Sequence, residues 1–137
     1  MKLNRHHLIT LTAAGGLLLG VAPLFAHHSF MAEFDKNKPV LIEGTVTEVD
    51  WINPHTLFYV DAKNDKGGME HWILETGSPS VLIHRGWTKT TMKKGDHISV
   101  RAYMSKERHD KAAARSVTFP DGRTLFGGQT DDGGPMK

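Results

Sequence analysis

Apolar and polar residues alternate along most of the chain from Val40 to Phe126, the two-residue period of strands that bury one face. The first run, Val40 to Trp51, places Ile42, Gly44 and Val46 on one side and continues with Val49 and Trp51 in the opposite phase. That one-residue slip predicts a β-bulge between Val46 and Val49, and Gly44 predicts a bend or the close approach of another backbone. Thr56 to Asp61 is apolar on both sides and predicts a second, well-covered strand. Met69 to Glu75 predicts a third, with Trp72 and Leu74 on one face and His71, Ile73 and Glu75 on the other. Asn64-Asp65-Lys66-Gly67-Gly68 has the composition of the hairpin turn between them, and pairing about residue 66 sets His71 near Asp61.

Beyond the third strand the alternation stops. Ser78 is a good N-cap, Pro79 stands at the favoured first helical position and Gly86 can close the element, so a helix of about two turns is expected. Alternation returns with Ile98, Val100, Ala102 and Met104, a fourth strand, and again from Ala112 to Pro120, a fifth, followed by a short Arg123 to Phe126 segment. Upstream, Phe30 and Phe34 lie four apart and predict one helical turn, which Asn37-Lys38-Pro39 would end. Gly127 to Lys137 has hardly any apolar side chains and is expected to be a disordered tail. Three strands, a short helix and two strands, with a bent first strand, is the order of an OB-like five-stranded barrel. The expected fold class is therefore all-β with one short helix.

The amino end has a different composition. Lys2 and Arg5, an apolar run from Leu8 to Ala22, and Pro23-Leu24-Phe25-Ala26 have the three parts of a secretory signal, with cleavage expected after Ala26. The expected organisation is a signal over 1–26, an arm over 27–39, the OB-like domain over 40–126 and the tail over 127–137. Removing the signal takes away two basic residues and leaves 15 basic against 15 acidic in a mature chain of 111 residues. A neutral balance argues against a nucleic-acid partner, which selects a basic face, and no stable membrane insertion is expected after cleavage. The chain contains no cysteine, so an exported domain of this sequence has to hold together by its core alone.

Cleavage after Ala26 would make His27 the first residue, followed by His28. A terminal histidine offers its amine and its ring Nδ1 to one metal, and nitrogen sites of that kind suit Cu(II). A third nitrogen is expected from the body. Trp51-Ile52-Asn53-Pro54-His55 joins the first two strands, and Pro54 stiffens that connection and fixes where His55 stands. His55 is the expected body ligand and His28 its substitute. His71 lies roughly 20 Å along the second and third strands from His55 and is not expected to share its metal. His84, His97 and His109 are read as solvated, and the three tryptophans as packing more than as a platform for a ring.

His27-His28-Ser29-Phe30, Gly44-x-Val46, Trp51-x-Asn53-Pro54-His55, Ser78-Pro79, Arg85-Gly86-Trp87 and Gly95-Asp96 resemble a family of small exported bacterial proteins that form a domain of unknown function. The resemblance covers most of residues 27–126 and implies a periplasmic location and a single small β domain, with no activity. The terminal histidine also resembles the histidine brace of copper oxygenases and copper carriers, whose folds are different, so only its local chemistry carries over. No nucleophile paired with a base and no phosphate-binding glycine loop is present. The chain is read as a periplasmic binding protein rather than an enzyme, with copper as its cofactor through His27, His28 and His55. Two alternatives stay open: an adaptor or small-ligand module that uses Trp51, Asn53 and Pro54 without a metal, and a copper redox enzyme.

Overall fold

The longest strand, β1 (Phe34–Asp50), is long enough for its two halves to pair with different neighbours. In the computed structural model, which describes residues 30–129, the chain divides into two units, Met1–Ala32 and Glu33–Lys137. Of the first unit only residues 30–32 are described, and they are helical. The second unit holds β1, β2 (Leu57–Lys63), β3 (Met69–Glu75), the six-residue helix α1 (Pro79–His84), β4 (His97–Ser105), β5 (Lys111–Thr118) and β6 (Thr124–Phe126). The expected signal over 1–26, His27, His28 and the tail beyond residue 129 lie outside the described residues.

The sheet has six strands in the order β3-β2-β1-β4-β5-β6, with an additional parallel pairing of β3 to β5. This corrects the expected fold class: the architecture is a mixed α/β fold built on a six-stranded sheet, and it is not a five-stranded OB-like barrel. Three features of the chain produce the difference. Thr124 to Phe126 adds a sixth strand, antiparallel to Ser116–Thr118, where the sequence showed only a short segment. The β3–β5 ladder spans just Ile73–Glu75 against Lys111–Ala113 and runs parallel, and α1, at six residues, is too short for the helix of that barrel.

Burial follows the alternation. Ile42, Val46, Phe58, Val60, Leu74, Ile98, Val100 and Val117 are almost completely buried in one core, with Leu82 of α1, Trp72, Trp87 and Phe119 packed among them. The expected bulge is present, since the β1–β2 register shifts between Val46 and Glu48. The expected hairpin register is present as well, with Asp61 opposite His71. Ser78 caps α1 by accepting from the Val81 amide at 3.4 Å, and Gly86, at φ 89, follows its end. Against expectation, Phe34 opens β1 instead of sharing a helical face with Phe30. Pro39 lies within β1, and the β1–β4 register shifts between Phe34 and Pro39, an irregularity that accommodates a residue without an amide hydrogen.

Candidate functional site

The connection from β1 to β2 is held in place at its far end by β3. The Thr56 amide donates to the Gly77 carbonyl at 3.1 Å, the Thr76 amide to the Thr56 carbonyl at 2.9 Å, and the Thr76 hydroxyl to the same carbonyl at 3.0 Å. Thr56 and Thr76 are both buried. Residue 55 therefore stands beside the last residue of β3, since Leu57 is already opposite Glu75 in the ladder. The Asn53–Pro54 peptide is cis, and Asn53, Pro54 and His55 are exposed.

Glu75 is the centre of this place. Its side chain is only 6% exposed, and one carboxylate oxygen meets Nδ1 of His55, whose ring is 47% exposed. The other oxygen accepts from Lys111 Nζ at 2.8 Å, and Lys111 in turn reaches Glu33 Oε1 at 2.5 Å. The parallel ladder explains the arrangement, because it sets Lys111 beside Ile73, two residues from Glu75 on the same face. Lys111 also lies over the buried Phe34 ring, 5.5 Å from its centroid. A row of linked polar side chains results, His55, Glu75, Lys111 and Glu33, with the lysine between the two carboxylates.

An ionised carboxylate only accepts hydrogen bonds, so His55 Nδ1 has to be the donor. The neutral ring then carries its lone pair on Nε2, the outward nitrogen. A ring held this way can ligate a metal through Nε2 without needing to reorient. Burial disfavours the charged form of Lys111, but its hydrogen bonds to Glu33 and Glu75 outweigh that and raise its pKa above the ordinary value of 10.5. A raised lysine pKa means that the stabilisation is complete below the unfolded-state value, about 10.4, and is lost as pH rises through the folded-state value. Unfolding free energies measured from pH 8 to 11.5 should therefore fall more steeply above about pH 10.5 for the native chain than for Lys111→Met. Parallel slopes would show that the ion pairs contribute nothing at that position.

The structure brings together one of the three expected metal ligands with groups that sequence reasoning missed. His55 is in the row of linked side chains, and His27 and His28 lie outside the described residues. Among the described residues no group of three or more histidines and carboxylates is arranged to hold a metal. His71 is elsewhere, at 2.6 Å from Asp61 Oδ1 and 78% exposed. Trp51 is half-buried and packs on the core, lining a small, partly open void of about 10 Å3 with Leu82, Trp87 and Met92. Trp72 is buried, and Trp87 is buried with its indole N–H donated to the Phe126 carbonyl at 2.9 Å. Glu75 was within reach of the hairpin register, which places it opposite Leu57, two residues from His55. Lys111 had no such signal, because its neighbour in space is a parallel strand far away in sequence.

No helix among the described residues is long and apolar enough to cross a membrane. Comparison with known proteins matches residues 16–114 to a family of unknown function, DUF6152. No curated protein matches the chain.

Proposed function

We propose, from the premise that this chain belongs to DUF6152, that it is an exported binding protein that holds a transition-metal ion, copper first, with His55 Nε2 as the ligand supplied by the folded domain. The observation that supports this reading is the buried Glu75 carboxylate on His55 Nδ1. A carboxylate behind a histidine fixes the tautomer, aims the free nitrogen and raises its basicity, and such outer partners are regular features of metal-ligating imidazoles. The other two nitrogens, the His27 amine and ring, are carried over from the sequence, as is His28 as the substitute for His55 in the third position. Export by the signal over 1–26 belongs to the same reading, because only cleavage after Ala26 creates a terminal histidine amine.

A second reading has its own observation. Ile52 is 53% exposed beside exposed Asn53 and Pro54, an apolar tip on a polar loop, which suits contact with a partner protein or small molecule without a metal. A Cu(II) titration with electron paramagnetic resonance separates the two, on protein exported by its own signal and shown by intact mass to begin at His27. One tight equivalent with nitrogen hyperfine structure is expected, weakened about 100-fold in His55→Ala and similarly in His27→Ala. Binding that is weak, or unchanged in His55→Ala, sinks the metal reading and leaves the loop as a contact surface.

A further inference from the structure

On the exposed sheet surface, two arginines and the apolar side chains of Pro39 and Leu41 share one groove. Where β1 and β4 run antiparallel, Leu41 lies opposite Arg101 and Pro39 opposite Tyr103. The β4–β5 register slips between Arg101 and Ala102: Ser116 pairs with Arg101 while Ala114 pairs with Ala102, so Arg115 is the extra residue of a bulge. Bulges re-aim a side chain, and the Arg115 guanidinium carbon lies 4.8 Å from the centroid of the Tyr103 ring. Arg101, Arg115, Pro39, Val40, Leu41 and Ala102 line one open groove of about 310 Å3.

The lining is chemically divided. Arg101 is exposed, and its side chain has no hydrogen bond or ion pair among the described residues. Glu43, next on the same face of β1, is exposed and stands opposite Ser99, without an ion pair to Arg101. Against the two cations stands an apolar wall, of which Leu41 is 58% exposed. A guanidinium presents a fork of N–H donors that fits a carboxylate in two parallel bonds. Stacking on Tyr103 restrains Arg115 beforehand, which lowers the entropy lost when a ligand orders it. The volume is at the small end of ligand sites, which begin at about 300 Å3.

We propose that this groove binds a small amphipathic carboxylate, with its oxyanion at Arg101 and Arg115 and its apolar body along Pro39 and Leu41. The proposal is independent of the metal reading. Octanoate is a suitable probe, titrated into the isotopically labelled full chain and followed by the backbone amides of residues 40, 41, 101 and 115. Saturable shifts at those amides are expected, with binding about tenfold weaker for octanol, which lacks the charge, and for inorganic phosphate, which lacks the tail. Arg101→Gln and, independently, Leu41→Asp should each weaken octanoate binding about tenfold. Both substitutions lie on the exposed sheet surface, and unchanged dispersion of the remaining amides shows that each variant is folded. The proposal is overturned if shifts fail to saturate, if they centre on other residues, if phosphate or octanol binds as well as octanoate, or if both variants bind octanoate like the native chain.

Discussion

Glu75→Ala is expected to lower the free energy of unfolding by about 4 kcal/mol, within the 3–5 kcal/mol typical when one partner of a buried ion pair is removed. Truncation leaves Lys111, whose side chain is only 19% exposed, with Glu33 as its remaining carboxylate, and it leaves His55 Nδ1 without an acceptor. Most of the loss comes from the ammonium, which is deprived of the more buried of its two counter-ions. Urea unfolding followed by tryptophan fluorescence gives the number, and a loss below about 1 kcal/mol would show that Glu75 is exchangeable with water in this role. Glu75→Ala combined with Lys111→Met should be less destabilised than the sum of the two single changes, because the second removes the charge that the first strands. Glu75→Ala should also weaken Cu(II) binding about 10–100-fold under the proposed function, by releasing the ring from one tautomer and one orientation.

The second large effect is expected at Gly44. A Cβ at this position would stand 2.2 Å from the Asp61 carbonyl oxygen, 2.9 Å from its carbon and 2.7 Å from Val60 Cγ1. Two of those atoms are backbone, and β1 cannot retreat from them. Gly44 is paired on one side to Ala62 of β2 and on the other to Ile98 of β4, so movement away from one neighbour opens the other ladder. Gly44→Ala should therefore cost about 3 kcal/mol, the upper part of the range for overpacking a well-filled interior. Amide exchange should accelerate first along the β1–β2 ladder near residues 44–46 and 60–62. A cost under about 1 kcal/mol would mean that the two ladders yield more easily than their shared strand suggests.

The sequence made the local half of this fold legible. The hairpin through Asn64 to Gly68, the bulge after Val46, the Ser78 cap and the fourth and fifth strands depend on residues within a few positions of one another, and period and turn chemistry report them. The barrel expectation failed where distant segments meet. Closure depended on how β3 and β5 would pair, and neither Ile73 to Glu75 nor Lys111 to Ala113 carries any mark of a parallel partner. Phe34 misled for a related reason: its place in β1 is set by pairing with Ser105 of β4, a partner far away in the chain. His55 was found because Pro54 makes its loop unusual, whereas Glu75 stood in the third strand with His71 and Ile73 and nothing set it apart. Its burial comes from Lys111 and His55, two residues that approach it from opposite directions in the chain.

The length of β1 bears on the order in which the molecule comes together. Its second half pairs with β2 across the short connection that carries His55, so this contact closes a small loop and can form early. Its first half pairs with β4, as in Leu41 with Arg101, and must wait until the intervening chain has been gathered in. The β3–β5 contact that delivers Lys111 to Glu75 is long-range as well. A chain that has made only its first hairpins already has His55 in its loop, but the imidazole there has a carboxylate that still lacks its lysine. The complete row is then a property of the finished sheet, and a partly folded chain would present its histidine on a carboxylate whose ammonium partner has not yet arrived.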